Sequence, residues 1–434
     1  MRARLLQAWG ALRESYWFLP AVFSVGAMLL AAGSIAIDAA YGPWDISWLP
    51  GSSPDGARAV LSTVAGSLIT VAGVAISVTL VALSTTSSAF GPRILTLFLR
   101  DRGVQSALGV FAGSFLFCLV VLLFVRSPLE TADATPFVPQ LALLAGFTTG
   151  LTSIGAFLFL VHHVSQMLHV DNVVARAGAD LLGGVEDLIG RRKEDGVTPI
   201  DTDPEVTRDE GGAIVRADRD GYLQVVDEGS LLELAERWSR VIVLEVRRGE
   251  FVTRERVIAR VWPGDGLGED DLEEVLSGFA WGQRRNHGQE VRFQVDQIVQ
   301  IAARALSPGI NDPFTAMSCI DWLEAALKRF SEVPSARWLS QVRDGEPRLY
   351  QPATTFADLL EASVGQLVPY AASDLNAARH LARALDRLAQ DCGRADCRSL
   401  LEERADQLLD ACRVRLPDED AAARVAERLR HVRP

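Results

Sequence analysis

Hydrophobic residues are concentrated in four long runs within the first 161 positions of the chain. The runs cover residues 18–37, 60–83, 104–125 and 138–161, and none contains Asp, Glu, Lys or Arg. Each reaches the ~20 residues that an α-helix needs to cross ~30 Å of hydrocarbon. A soluble helix of that length would carry a polar stripe instead. The pattern predicts a transmembrane domain over residues 1–163, with helices at about 17–38, 60–84, 104–126 and 138–162.

Charges in the short loops predict how these helices are oriented. Arginine is concentrated before the first helix and after the second, whereas the other two loops are mainly acidic. The arginines are Arg2, Arg4, Arg13, Arg93, Arg100 and Arg102, and the acids are Asp38, Asp45, Asp55, Glu130 and Asp133, opposed by Arg58 and Arg126. Because positively charged loops stay in the cytoplasm, both ends of the chain and residues 162–434 are predicted to be cytoplasmic.

The second hydrophobic run differs from the others because small and hydroxyl residues recur along one side. This small-residue face consists of Gly66, Thr70, Gly73, Ser77 and Ser84, separated by three, four or seven positions. Membrane helices use such faces to approach a neighbouring helix closely. Alternatively, the hydroxyls line a water-filled path and replace the hydration shell of an ion. A path would form around a symmetry axis, with one copy of the helix from each subunit.

Polar residues cluster where the fourth run ends. His162, His163 and His169 lie near the expected membrane surface, and Arg93 follows the second run at headgroup depth. Imidazole groups change charge near neutral pH, and an arginine at headgroup depth can contact lipid phosphates. The three histidines and Arg93 are therefore candidates for an interfacial switch or for contacts with lipid headgroups. No HExxH spacing or tetrahedral ligand set accompanies them, and no metal site is predicted.

From residue 164 onward the pattern becomes that of a mixed α+β protein. Apolar spacing from Val173 to Leu181 indicates a juxtamembrane helix, and a charged linker completes residues 164–215. Short β-branched runs in residues 216–264 predict a small module resembling a β-barrel of the carrier-protein type. Residues 265–434 are predicted to be mainly helical. The predicted fold class is therefore an α-helical membrane protein with four transmembrane helices and a C-terminal α+β cytoplasmic domain.

The stretch ALSPGINDPFTA, residues 305–316, separates two helices predicted at 294–306 and 314–330. Its Ser-Pro-Gly ends the first helix, Asp312 is a candidate N-cap, and Pro313 suits the first position of the next helix. The stretch is thus predicted to be a rigid elbow. Because helix N-termini also attract anions, four elbow residues are ligand-binding candidates: Ser307, Asn311, Asp312 and Thr315.

Composition narrows the function classes. The chain has 434 residues, of which 49% are hydrophobic, and a formal net charge of −12. A net acidic chain without a basic stripe argues against nucleic acid as a partner. The five cysteines, Cys118, Cys319, Cys392, Cys397 and Cys412, contain no CxxC pair and are predicted to be reduced. The sequence contains no nucleophile elbow, Walker loop, dinucleotide loop or metal-ligand array, so neither enzyme activity nor a cofactor is expected.

Several segments carry a family resemblance: SYWFLP, STVAGSLITVAGVAISVTLVALS with SAFGPRIL and FLRDRG after it, VHHV before DNVVARAG, GYLQ with GEFV, and SPGINDPFTA. Together they resemble the bacterial predicted membrane proteins of domain of unknown function 2254, over nearly the whole chain. In that family the segment before the elbow commonly reads Arg-Thr-x-x-Gln-Asp. Arg285 and Gln289 match it, whereas Asn286 and Glu290 differ. The resemblance adds Arg285 and Gln289 to the ligand candidates and implies no established activity.

Two functional hypotheses follow. The preferred one is an oligomeric inner-membrane channel or transport-like protein, in which the second helix lines the path and the cytoplasmic domain assembles or gates it. Its partners would be the lipid bilayer, further copies of the same chain, and ions or a small anion. The alternative is a membrane-anchored sensor or scaffold, in which the small-residue face only packs and the cytoplasmic domain binds a ligand or a protein.

Overall fold

The structure, a computed structural model, describes residues 12, 15–42, 53–91, 98–99, 101–126, 137–208, 211–285, 291–343 and 345–432. The chain divides between His169 and Val170 into two compact units. The N-terminal unit is built of helices, and the C-terminal unit combines helices with two β-sheets.

Four long apolar helices form the N-terminal unit, as the sequence predicts: α1 is Phe18–Tyr41, α2 is Pro54–Phe90, α3 is Arg102–Phe124 and α4 is Gln140–Met167. Each is long and apolar enough to cross a bilayer. α3 packs against the other three helices. Its Phe117 and Val121 form a core with Leu61 of α2 and Leu143 of α4. The apolar side chains that remain exposed on α1, α2 and α4 are suited to contact with acyl chains.

The helices of the C-terminal unit begin with α5, Val170–Arg191, and continue as follows: α6 is Glu228–Arg237, α7 is Glu269–Leu276, α8 is Val291–Ala305, α9 is Pro313–Ser331, α10 is Phe356–Leu360, α11 is Gln366–Ala371, α12 is Leu375–Asp391, α13 is Ala395–Arg415 and α14 is Glu419–Ala426. A π-helical turn at Glu361–Gly365 joins α10 to α11. α5, α8 and α9 pack against one another. Their apolar stripes are buried there, including Leu181, Ile298 and Leu323.

Two open sheets complete the described part of the C-terminal unit. Their strands are β1 Val197–Ile200, β2 Ala213–Arg216, β3 Gly221–Val226, β4 Val241–Leu244, β5 Phe251–Val252, β6 Val257–Trp262, β7 Phe279–Gly282, β8 Trp338–Arg343 and β9 Glu346–Pro352. The larger sheet has the order β1-β8-β9-β4-β6-β2, and the smaller has the order β5-β3-β7. β4 and β9 pair in parallel, and the other pairs are antiparallel.

The structure corrects the predicted β-barrel-like module at residues 216–264. Among the described residues no closed barrel forms, and the strands of this segment are divided between the two sheets. Ile242 and Val243 of β4 point to opposite faces and are both buried, so β4 is an interior strand. It pairs with β6 on one edge and with β9 on the other. β9 is formed by residues 346–352, so β4 pairs with a strand that lies far outside the segment 216–264.

Candidate functional site

The small-residue face of α2 points away from the rest of the N-terminal unit. α2 packs against α3 and α4, and its buried apolar residues are Ala57, Leu61, Ala65, Leu68, Ala75 and Ala82. At ~100° per residue the predicted path-lining residues fall on the opposite side of the helix. All of them are exposed: Gly66, Thr70, Gly73, Ser77 and Ser84. The face is therefore open to lipid or to another chain.

Among the described residues, close contacts with other helices do not use this face. A Cβ atom added at Gly66 or Gly73 would meet no atom within 4 Å. The Thr70 hydroxyl donates to the Gly66 carbonyl at 3.1 Å, a bond within the same helix. In contrast, Ser153 of α4 donates to the Ser114 hydroxyl of α3 at 3.1 Å, across a helix contact. Within the described part of one chain, the small-residue face of α2 therefore does not pack against another helix.

The elbow is a closed turn between α8 and α9. The amides of Ile310 and Asn311 donate to the Ser307 carbonyl at 3.0 and 2.9 Å, and the Asp312 amide donates to the Ala305 carbonyl at 2.8 Å. Asn311 has a φ of +51°, a left-handed conformation that asparagine tolerates better than most residues. These bonds hold the turn in one shape.

Asp312 caps α9, as the sequence predicts. Its carboxylate accepts from the Thr315 amide at 3.1 Å and also from the Thr315 hydroxyl, and Pro313 occupies the first helical position. The carboxylate puts negative charge at the helix end, where a bound anion would have to lie, and like charges repel. An anion site at the elbow remains a prediction, and capping explains the contacts of Asp312 and Thr315 without a ligand.

Arg285 lies closer to the start of α8 than to the elbow. Its Nη1 is 3.0 Å from Asp296 Oδ2, and its guanidinium lies 5.6 Å from the Tyr222 ring centroid. Since Asp296 and Ala305 are separated by about 13 Å along α8, Arg285 does not join the elbow candidates in one site. Gln289 lies outside the described residues.

A cleft of about 800 Å³ contains Arg285 and lies within the C-terminal unit. Its charged lining has both signs and includes Glu186, Asp187, Glu194, Arg247, Arg248 and Arg292. Burial lowers the pKa of Arg248, which nearby Glu228 partly offsets. Burial alone would raise the pKa of Asp358, but hydrogen bonds from Thr355 and the ion pair with Arg247 outweigh it and hold that pKa below its ordinary value. The cleft therefore presents fixed charges of both signs at neutral pH.

His163 connects the end of α4 to the start of α3. Its Nε2 is 2.7 Å from Asp101 Oδ1, and the Phe159 ring stacks on the imidazole with centroids 5.1 Å apart. Asp101 also caps α3 by accepting from the Val104 amide at 3.0 Å. The contact between His163 and Asp101 therefore joins the end of α4 to the start of α3 within the N-terminal unit.

The other predicted interfacial residues do not join this contact. His162 lies 3.0 Å from the Gln166 amide nitrogen on the same helix, and His169 is exposed after α4 ends. Arg93 lies outside the described residues. Within the described ranges, no group of three or more His, Cys, Asp or Glu side chains is placed to hold a metal ion.

Two side chains that enter the sequence argument only as loop charges cap helix ends. Asp38, near the end of α1, is 4% exposed and accepts from the amides of Leu141 and Ala142 at 3.1 and 3.0 Å, where α4 begins. Arg58 donates to the Val125 carbonyl at 2.8 Å, where α3 ends. Both charges complement the helix dipoles, and both contact residues that are distant in sequence.

An apolar pocket of about 620 Å³ within the N-terminal unit is not predicted from the sequence. It is lined almost entirely by apolar side chains, including Leu68, Ile76, Leu108, Phe111 and Phe115. Such a surface suits hydrocarbon rather than a polar ligand. Sequence spacing does not reveal it, because the same residues would equally serve helix packing.

Four membrane-length apolar helices followed by a unit of helices and sheets define this chain as a membrane protein. A family model described as Predicted membrane protein (DUF2254) matches residues 13–387, and the chain belongs to that family. Uncharacterized proteins of Mycobacterium bovis and of two Mycobacterium tuberculosis strains are 28% identical to it over 350 residues. The match covers 78% of this chain and 65% of the length of these relatives. No solved structure matches the chain at a significant level.

Proposed function

We propose that the protein forms a homo-oligomer in the bacterial inner membrane and provides a path for ions along α2. The observation that carries the proposal is the direction of the small-residue face, which is exposed from Gly66 to Ser84 on the side of α2 opposite to its contacts with α3 and α4. Glycine and hydroxyl residues gain little from lipid but permit close approach of a second helix. One α2 from each subunit then surrounds the symmetry axis.

The hydroxyls of this face form a line suited to ions. Thr70, Ser77 and Ser84 recur every seven residues, so they extend about 21 Å along the helix. That length covers most of the ~30 Å of hydrocarbon. The line carries no charge, and weak uncharged oxygen ligands let an ion enter and leave. The C-terminal unit assembles or gates the ring, and the proposal assigns no catalytic step to the chain.

Orientation is part of the proposal. Arginine before α1 and after α2, against acidic residues in the other two loops, favours a cytoplasmic location for both ends of the chain. Asp38 caps the start of α4 and Arg58 caps the end of α3. These helix ends lie on the side opposite to the arginine-rich loops, and the opposite charges of Asp38 and Arg58 nearly cancel there. The arginine bias of the opposite end therefore remains the stronger signal.

Leucine substitutions on the small-residue face test the path. Thr70→Leu and Ser77→Leu are each expected to abolish the flux of potassium and chloride into proteoliposomes, because an isobutyl group replaces a hydroxyl in every subunit of the ring. Flux is followed with ion-sensitive dyes, and the mass of the oligomer in detergent is measured by light scattering. Mass is expected to stay at the wild-type value.

The matched control is Leu158→Phe, a size change at an exposed position on α4, which is expected to leave flux unchanged. Variants that dissociate into monomers and keep the wild-type leak would show that the small-residue face only packs. A wild-type protein that carries neither ion above the level of empty liposomes would contradict the path itself.

The alternative function, a membrane-anchored sensor or scaffold, draws support from the charged cleft. Its fixed arginines and carboxylates fit a small polar ligand that carries both signs of charge. The flux experiment separates the two functions, since a sensor needs no path. Oligomers that stay intact and show no flux in the wild type would favour the sensor.

A further inference from the structure

The outer side of the elbow presents large apolar side chains. Ile310 is 47% exposed and Phe314 is 72% exposed. From Leu306 to Asn311 the chain carries no charged residue. Scattered exposed apolar residues are ordinary on a soluble surface, but here Ile310 in the turn and Phe314 in the first turn of α9 are only four positions apart. The one charged residue between them, Asp312, is bonded to the Thr315 amide and hydroxyl at the cap of α9. The exposed side chains of Ile310 and Phe314 form the tip of the elbow, and this tip is suited to contact with another apolar surface.

The packing of α9 on α5 shows where the elbow lies. A Cβ atom at Gly178 of α5 would lie 2.0 Å from the Trp322 ring of α9, and Glu186 of α5 pairs with Arg329 of α9. The two helices thus run parallel and nearly in step. Continued back by about two turns, the same register places the first residues of α9 level with the first residues of α5. The elbow therefore lies at the beginning of α5.

Packing of α8 gives the same result independently. A Cβ atom at Gly184, in the second half of α5, would meet the side chains of Gln294 and Val291 at the start of α8. The start of α8 therefore lies toward the end of α5. Because α8 and α9 are joined by the elbow as an antiparallel pair, the end of α8 returns toward the beginning of α5.

The beginning of α5 is tied to the membrane by the chain itself. Leu168 and His169 alone separate α5 from α4 in the sequence. From Gln140 to Val161, α4 rises about 33 Å, which matches the hydrocarbon thickness of ~30 Å. The remaining residues to Met167 rise about 9 Å more, which reaches through the headgroup layer. α5 thus starts at the surface of the bilayer.

We propose that the elbow is a membrane-interface anchor, in which Ile310 and Phe314 insert between the lipid headgroups and the upper acyl chains. Interfacial elements of soluble regions bury apolar side chains at this depth. The backbone bonds of the turn and the Asp312 cap fix the tip before it meets lipid, so insertion orders little additional structure. The anchor requires a membrane protein but not an ion path, so it stands independently of the proposed function.

The test uses the full chain in nanodiscs of phosphatidylcholine and phosphatidylglycerol, with an environment-sensitive fluorophore attached to Phe314→Cys. Emission is expected to shift to shorter wavelength, and lipids spin-labelled near the top of the acyl chain are expected to quench it. Background labelling is low, since all five native cysteines are buried. Burial raises the pKa of Cys397 to about 12 and that of Cys412 to about 11.

The matched control is Val414→Cys, on α13 at a position that is 85% exposed, where aqueous emission without quenching is expected. The same aqueous behaviour at Phe314→Cys would overturn the anchor. Shifted emission that the labelled lipids do not quench would mean burial against protein, a sister copy included, and would overturn it too. Ile310→Cys is the second probe position, so a folding defect in one variant leaves the other to decide.

Discussion

Asp38 shows how a single side chain joins two helices of the N-terminal unit. The first amides of any helix have no partner within it, and at α4 two of them, those of Leu141 and Ala142, bond to the Asp38 carboxylate. Near the hydrocarbon layer water competes poorly for such groups. Charge-assisted bonds of this kind are about twice as strong as neutral ones. The contact therefore fixes the end of α1 against the start of α4.

Removing that carboxylate should weaken the N-terminal unit. Asp38→Ala is expected to lower the free energy of unfolding by about 2–3 kcal/mol, because the partly buried amide of Leu141 and the buried amide of Ala142 lose a charged acceptor. Thermal unfolding in detergent, followed by circular dichroism, measures the change. Asp55→Ala is the control, since it removes the same charge from an exposed position in the first turn of α2. Equal losses for both variants would assign the effect to net charge and not to the cap.

The sequence predicts the local contacts of single residues well and their distant contacts poorly. Asp312 and Pro313 are recognised because capping chemistry spans only three or four residues. The partners of Arg58 and Asp38 lie 67 and 103 positions away along the chain. Helical periodicity describes neighbours on one helix, so it assigns these two charges to loops. From the sequence, the charges of Asp38 and Arg58 therefore help to predict how the helices are oriented, but they do not reveal which helix end each side chain caps.

At the scale of elements, helices are easier to predict than the pairing of strands. The sequence places α8 and α9 within a few residues of their observed bounds, because each has a buried apolar stripe. It misses the β8–β9 hairpin, although an Asp-Gly pair between two strand-like runs is a recognised hairpin signal. Gly345 there has a φ of +80°, as such a turn requires. The predicted β-barrel-like module is wrong because strand pairing cannot be read from one strand alone. The residue pattern of β4 does not indicate that β9 is its partner.

Helix α5 offers a test at this scale, because two of its glycines differ in their surroundings. Gly178→Ala would place a methyl group 2.0 Å from the Trp322 ring, and overpacking of this kind costs about 1–3 kcal/mol. Gly183→Ala meets no atom within 4 Å, so the better helix propensity of alanine should stabilise the protein by up to about 1 kcal/mol. Urea unfolding of the full chain, followed by tryptophan fluorescence, compares the two. Effects of the same sign would contradict the close approach of α5 and α9.

At the scale of the whole molecule, hydropathy predicts the membrane helices because long uncharged apolar runs have no stable place in water. Assembly is not predictable in the same way. In a symmetric oligomer, a face of one chain contacts another copy of the same chain. The sequence reveals the small-residue face of α2, but it does not reveal how the copies are arranged around an axis. The candidate path depends on that arrangement. Ser77 is exposed in one chain, and in a ring the residues facing it would belong to another subunit.

Crosslinking between copies distinguishes packed helices from a ring around a path. We expect Ser77→Cys chains to crosslink to one another in membranes, with the products separated by denaturing electrophoresis. A disulfide requires Cα atoms within about 7 Å, so mild oxidation joins only helices in direct contact, whereas a bismaleimide with a longer spacer also reaches across an open lumen. Leu158→Cys, 65% exposed on α4, is the control. Equal yields at both positions would indicate random collision, and no product at Ser77→Cys with either reagent would remove the assembly that an ion path needs.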